Sequence, residues 1–110
     1  MASYDQLIGG EWVKGADYRP NVNPSNLGDT VGDYAHADEA QAKAAIAAAR
    51  DALPAWSGTT IQARSDALDA AGSEILARKE ELGTLLAREE GKTLKEGIGE
   101  AARAGYIFKF

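Results

Sequence analysis

Apolar residues lie three, four or seven positions apart over residues 59–91, a spacing that places them on one face of an α-helix. The members of this stripe are Ile61, Leu68, Ala71, Ile75, Leu82, Leu85 and Leu86. Gly91 supplies the left-handed residue that commonly ends a helix. Such a stripe is unfavourable in water, so either the rest of the chain or another polypeptide must cover it.

The same run carries its own start and break signals. Thr59 followed three residues later by Gln62 predicts a capping box at the beginning of the helix. Gly72 and Gly83 lie inside the run, and each costs about 1 kcal/mol relative to alanine. We therefore expect either a bend or two consecutive helices that part within residues 78–83.

An alanine-rich helix is predicted before the central run. Asp38 and Gln41 form a capping-box pattern at its start. Pro54 is expected to end it at Leu53, because proline lacks a backbone N–H. Trp56 then closes over the helix end. Packing of this helix on the central run is favoured over dimerisation through its smooth face.

A third helix is predicted to begin at the capping-box pair Thr93 and Glu96. Its apolar side consists of Leu94, Ile98, Ala101, Ala102, Gly105 and Phe108. Aromatic and aliphatic side chains crowd residues 106–110 without a C-terminal cap signal. We therefore expect the chain to be a fragment that stops within a helix.

Residues 1–37 have the short alternating runs of strands and turns. Gly9 and Gly10 tolerate positive φ angles and predict a two-residue hairpin turn. Residues 19–23 and residues 30–36 predict two further strands. Because two-stranded ribbons are marginal in water, this segment alone is too short to form a stable sheet.

Composition weakens the expected core. The 110 residues include 22 alanines, whereas Leu, Ile, Val and Phe together number only 20. The free energy of folding of the isolated chain is therefore expected to lie near zero. A net charge of −5 argues against nucleic acid or an anionic membrane as a partner. No apolar run reaches the length needed to cross a membrane, so we expect a cytoplasmic protein.

One hexapeptide matches the letters of a dinucleotide-binding fingerprint, G-x-G-x-x-A, over residues 97–102. That motif binds a pyrophosphate only when it follows a buried strand and opens a helix. Here the predicted start of a helix precedes it at Thr93. Helix-packing glycines are therefore favoured over phosphate binding.

Other candidate groups are few. Carboxylates pair at Asp66 and Asp69, at Glu80 and Glu81, and at Glu89 and Glu90. Their positions opposite the apolar stripe favour a solvated face over a catalytic pair; the last pair stays open as a contributor to an ion site, since it borders a turn with free carbonyls. A surface or capping role is favoured for His36, and core or edge cover for Trp12 and Trp56 over stacking on a ligand. With no cysteine and one histidine, we predict no catalytic, cofactor-binding or metal-binding residue in this chain.

Several stretches, taken in order, resemble the N-terminal portion of the NAD(P)-dependent aldehyde dehydrogenase superfamily. The matching residues are Ile8, Gly9, Gly10, Glu11, Trp12, Val13, Val22, Asn23, Pro24, Gly28, Ala52, Leu53, Pro54, Ala55, Trp56, Arg64, Glu81, Leu82, Glu90, Gly91, Lys92, Glu100, Arg103, Ile107 and Phe108. Each piece is short, but their joint order covers nearly the whole chain. Within this superfamily the chain resembles the bacterial semialdehyde-oxidising branches.

The resemblance implies an α/β parent fold, of which this chain is a β-hairpin segment (residues 1–37) followed by three α-helices (residues 38–110). Together these form the N-terminal part of the cofactor-binding domain. The parent, expected to be a homo-oligomer, would oxidise an aldehyde, including a semialdehyde, to a carboxylic acid with NAD or NADP. Its catalytic Cys, Asn and Glu belong to the remainder of the parent chain, so the isolated chain should be inactive and bind no cofactor. Some family members hold a structural monovalent cation near the positions of Val22 and the pair Glu89 and Glu90, which is not assigned as a site here.

A second hypothesis belongs to another class of protein. The apolar stripe and the aromatic end also suit a stand-alone helical interaction module that binds a partner or itself. Strong hydrogen-exchange protection of the central helix in the isolated chain would favour the module, and weak protection would favour the fragment.

Overall fold

The computed structural model describes residues 2–110 and contains five short strands followed by four helices. The elements are β1 (Ser3–Tyr4), β2 (Gln6–Ile8), β3 (Glu11–Val13), β4 (Asp17–Val22), β5 (Thr30–His36), α1 (Glu39–Ser57), α2 (Ile61–Ala77), α3 (Lys79–Glu90) and α4 (Leu94–Lys109). They divide into two compact units. One comprises residues 2–21 and 30–58, and the other comprises residues 22–29 and 59–110.

The predicted hairpin lies in the first unit. β2 and β3 pair antiparallel, with Leu7 opposite Trp12. Gly9 and Gly10 have φ angles of 61° and 81°, which residues with a Cβ adopt only at a steric cost. The two-residue glycine turn is therefore confirmed.

A three-stranded sheet with the order β1-β5-β4 completes the β part of this unit. β5 has the predicted bounds, and its Val31 is buried. β1 pairs parallel to β5, and the rings of Tyr4 and Tyr34 stack with their centroids 4.9 Å apart. A strand of two residues has no periodic pattern, so β1 could not be recognised in the sequence.

Helix α1 begins at the predicted capping box, in which Asp38 accepts from the backbone N–H of Gln41 at 2.8 Å. It does not end at Leu53, because the helix continues through Pro54 to Ser57. Proline removes a single N–H donor, and its own carbonyl accepts from the N–H of Gly58 at 3.1 Å. The last turn is thus closed around the proline, and the predicted end was wrong.

The second unit contains α2, α3 and α4. The central run is two helices that part at Arg78, as the interior glycines predicted, so residues 2–110 contain four helices in place of the expected three. Its N-cap is Thr60, whose hydroxyl accepts from the N–H of Ala63 at 3.0 Å. The predicted capping box at Thr59 was wrong by one residue, and Gln62 donates instead to Asp66 at 2.7 Å.

The corner between α3 and α4 follows the predicted signals. Gly91 adopts φ 72° at the end of α3, and Thr93 and Glu96 form the capping box of α4. Among residues 2–110, no helix combines the length and the apolar content needed to cross a bilayer.

Candidate functional site

Helix α4 packs on α2 and α3 through glycine backbones. A Cβ added to Gly97 would lie 2.4 Å from the carbonyl oxygen of Gly83, and one added to Gly105 would lie 2.7 Å from Cγ of Leu76. A Cβ added to Gly72 would lie 2.6 Å from the carbonyl oxygen of Gly105. These contacts require glycine, because a methyl group at any of them would force the helices apart.

Close backbone approach buries small residues and leaves larger ones uncovered. The buried positions of α4 are Gly97, Ala101 and Gly105, whereas Leu94 and Phe108 are exposed. The predicted apolar side of α4 thus included the buried Ala101 and Gly105 but missed Gly97, since glycine carries little apolar signal in a sequence.

Residues of the three helices line an apolar groove of about 430 Å³ that is open to solvent, which we call the helical groove. Its lining residues are Ile75, Leu82, Leu85, Leu86, Glu89, Glu100, Ala101 and Ala104. Most of the predicted central stripe is thus at this groove. Leu85 is 37% exposed within it, and Leu68 and Ile61 on α2 are 44% and 79% exposed. The described residues therefore cover the stripe only in part.

A lysine joins two acidic residues near the groove. Nζ of Lys92 lies 2.5 Å from a carboxylate oxygen of Glu90 and 2.5 Å from one of Glu100. Hydrogen bonding to Glu100 and then to Glu90 raises the pKa of Lys92 to about 12. The ammonium group is therefore fully protonated at neutral pH and forms a structural ion pair.

A second polar cluster joins residues 22–29, which we call the 22–29 turn, to the corner between α3 and α4. The Arg88 guanidinium donates to both carboxylate oxygens of Asp29, from Nε at 3.0 Å and from Nη2 at 2.6 Å. Asn23 also donates to Asp29, and the Ser25 hydroxyl donates to the Gly91 carbonyl at 2.6 Å. The Arg88 hydrogen bonds, followed by that of Asn23, lower the pKa of Asp29 to about 2.

This cluster was missed in the sequence analysis, where residues 24–29 are only the segment between two predicted strands. Asp29 and Arg88 are 59 positions apart, and no local spacing joins them. The sequence shows only that the two residues have opposite charges. Many other pairs of acidic and basic residues have that property too, so the sequence could not single out this one.

The fingerprint-like hexapeptide lies inside α4, not between a strand and a helix. Gly97 is buried against Gly83, and no cradle of free backbone amides is available there. The residues of this segment therefore do not fit the pyrophosphate of a nicotinamide dinucleotide, and we assign no cofactor-binding step to them.

The other candidates are dispersed over the surface. Asp69 pairs with Lys109 and Glu81 with Arg78, and these carboxylates are exposed, in keeping with a solvated face. His36 is exposed at the end of β5. Trp12 and Trp56 are 72% and 45% exposed, so neither is a core residue within the described chain. Acidic and histidine side chains of residues 2–110 form no group of three that could hold a metal ion.

Comparison with known proteins places this geometry in context. Among curated proteins, the mitochondrial succinate-semialdehyde dehydrogenase of Arabidopsis thaliana is 39% identical over 105 residues, covering 94% of this chain and 20% of its own length. The alpha-ketoglutarate semialdehyde dehydrogenase of Haloferax volcanii is 37% identical over 94% of this chain and 22% of its own length. The chain thus spans about one-fifth of the length of the curated relatives it matches.

Two solved structures that resemble this chain are also those of dehydrogenases. The NADP-dependent glyceraldehyde-3-phosphate dehydrogenase of Bacillus halodurans, complexed with NADP, superposes with a TM-score of 0.93 at 28% identity, over 99% of this chain and 23% of that one. The NAD-dependent aldehyde dehydrogenase of Sinorhizobium meliloti gives 0.92 at 29% identity, over 98% and 22%. The model of the aldehyde dehydrogenase family matches residues 12–110. The chain belongs to the aldehyde dehydrogenase family.

Proposed function

We propose that this chain is the N-terminal part of an NAD(P)-dependent aldehyde dehydrogenase that oxidises an aldehyde to a carboxylic acid. Semialdehydes are the favoured substrate class, because the named relatives above oxidise succinate semialdehyde and alpha-ketoglutarate semialdehyde. Relatives that use NAD and relatives that use NADP are equally similar in structure, so the proposal covers both cofactors.

The observation that carries the proposal is the uncovered helical groove in a chain one-fifth as long as its relatives. Apolar surface contributes roughly 25 cal/mol per Å² when it leaves water, so leucines at the groove stabilise the protein only after they are covered. We assign the groove to packing against the remainder of the parent chain. The contribution of residues 1–110 is structural.

The proposed parent enzyme has a cofactor-binding domain and assembles as an oligomer. Residues 1–37 and residues 38–110 together form the N-terminal part of the cofactor-binding domain. The parent enzyme is a homo-oligomer in the cytoplasm.

The chemistry of the reaction belongs outside this chain. The family's covalent step needs a cysteine thiolate, and residues 1–110 contain no cysteine. We therefore expect the purified chain to give no aldehyde-dependent increase in NADH or NADPH absorbance. Such an increase would contradict the structural role.

The decisive experiment reads the coding DNA beyond Phe110 and expresses the complete reading frame. The proposal expects an open frame that encodes a catalytic cysteine and a product that oxidises aldehydes. A stop codon immediately after Phe110, together with strong hydrogen-exchange protection of α2 and α3 in the isolated chain, would favour the helical interaction module instead.

A further inference from the structure

The 22–29 turn is held in shape by its own hydrogen bonds. The N–H of Asn23 donates to the carbonyl of Asp29 at 2.9 Å, and the N–H of Asp29 donates to the carbonyl of Asn26 at 2.8 Å. The N–H of Ser25 donates to Oδ1 of Asn23 at 2.9 Å. These bonds link residues 22–29 to one another, so they break and re-form together when the turn opens.

Two contacts attach this turn to the corner between α3 and α4. One is the two-pronged Asp29–Arg88 ion pair, and the other is the Ser25–Gly91 hydrogen bond. Paired N–H donors from one guanidinium to one carboxylate combine charge with fixed geometry, which makes them stronger than a neutral hydrogen bond. The ion pair is therefore the stronger of the two attachments.

The surroundings of this pair differ from those of a second arginine pair of the same shape. Arg78 also donates two hydrogen bonds to one carboxylate, that of Glu81, but it does so three residues away within one helical region. Side chains of Arg88 and Asp29 are 39% and 27% exposed, against 48% and 62% for Arg78 and Glu81. Solvent screens the Asp29–Arg88 pair less, and the pair joins segments that are distant in sequence.

The packing of the helices does not depend on the turn. Gly97 contacts Gly83, and Gly105 contacts Gly72 and Leu76, all of them within α2, α3 and α4. Loss of the turn from the corner leaves these contacts in place.

We propose that the 22–29 turn opens and closes on the α3–α4 corner as one local unit, and that the Asp29–Arg88 pair controls this equilibrium. When the pair breaks, the Ser25–Gly91 bond is lost with it, while α2, α3 and α4 stay packed. This goes beyond the structural role proposed above and does not rest on it, since it concerns residues 22–29 and 88–91 alone.

Amide hydrogen exchange in the protein expressed from the complete reading frame tests the proposal. Arg88→Gln and Asp29→Asn should each speed exchange at the amides of Asn23 and Asp29 by roughly two- to fivefold, the range for a partly exposed ion pair. The amide of Gly97, which donates to the carbonyl of Thr93, should be unchanged. Arg78→Gln is the matched control, because it removes a two-pronged pair elsewhere and should leave the turn unaffected.

Combination of the two substitutions separates a specific pair from two independent effects. The double variant should exchange no faster at the turn than either single variant, because both remove the same interaction. Arg88→Lys, which keeps the charge without the fork, should give a smaller increase. Unchanged exchange in Arg88→Gln, additive effects in the double variant, or equal acceleration at Gly97 would each overturn the proposal.

Discussion

Two glycines of the fingerprint-like hexapeptide occupy opposite environments. Gly97 is buried, and a Cβ there would lie 2.4 Å from the carbonyl oxygen of Gly83. Gly99 is exposed, and a Cβ there would meet no atom within 4 Å. The same letter therefore marks a helix contact in one case and an open helix surface in the other.

Alanine substitutions should separate these roles. Gly97→Ala should lower the free energy of unfolding by about 1–3 kcal/mol, because the added methyl group overpacks the α3–α4 contact. Gly99→Ala should raise it by about 0.5–1 kcal/mol, because alanine is the better helix former. Urea denaturation followed by circular dichroism measures both. Equal effects of the two substitutions would refute the assigned contact.

Asp29 gives stability a defined dependence on pH. Its pKa is lowered from an ordinary value of 3.8 to about 2, chiefly by the hydrogen bonds from Arg88. The carboxylate therefore contributes stability that is fully present above about pH 4 and is lost as the pH falls toward 2. Acid titration of the unfolding midpoint should show a steeper loss in the native chain than in Asp29→Asn over this window. Identical slopes would exclude the assigned ion pair.

At the scale of elements, local signals account for most of the helices. The capping boxes at Asp38 and Thr93 and the left-handed Gly91 each lie within one turn of sequence, so they could be recognised without a fold. β1 could not, because its partner Tyr34 lies 30 positions from Tyr4. Thr59 and Thr60 are adjacent and could each cap α2. The spacing from Thr59 to Gln62 favoured Thr59, whereas the N-cap is Thr60.

The position of the α2 cap can be tested by substitution of each threonine. Thr60→Ala should cost about 0.5–2 kcal/mol, since the N–H of Ala63 loses its acceptor. Thr59→Ala should cost less, because the hydroxyl of Thr59 does not cap the helix and its carbonyl, which accepts from Arg64, is retained. Thermal unfolding of the two variants measures the difference. A larger loss for Thr59→Ala would restore the cap that the sequence favoured.

At the scale of the whole molecule, residues 2–110 enclose no large apolar core. Val31 and Ala101 are the buried hydrophobic side chains among residues 2–110. The alanine-rich composition predicts this weakness, because each alanine side chain has little apolar area to bury. The groove could not be predicted in this way, because its position depends on which helix faces approach one another. Glycine contacts decide that approach, and glycines do not contribute to a hydrophobic periodicity in the sequence.

A polar substitution in the groove should distinguish the chain alone from the parent enzyme. Leu85→Gln should lower the free energy of unfolding of the isolated chain by about 1 kcal/mol, because the leucine is only partly buried, with 37% of it exposed. In the protein from the complete reading frame it should cost about 2 kcal/mol or more, because the covered site loses apolar burial. Denaturant unfolding of both proteins measures the two values.

Leu27→Gln provides the matched control, since Leu27 is 80% exposed and lies outside the groove. It should change the free energy of unfolding of the isolated chain by less than about 0.5 kcal/mol. A similar small effect of Leu85→Gln in the complete protein would mean that the groove stays open to solvent there.

The glycine-packed helices also bear on synthesis at the ribosome. Contacts among α2, α3 and α4 connect residues close in sequence, so they can form soon after these residues emerge. In a relative of which 105 residues are 20%, the other 80% amounts to roughly 400 residues, and their translation takes on the order of 20–80 s at ordinary elongation rates. Under the proposed function, Leu85 and its apolar neighbours stay exposed on the nascent chain during that interval, where a chaperone can bind them.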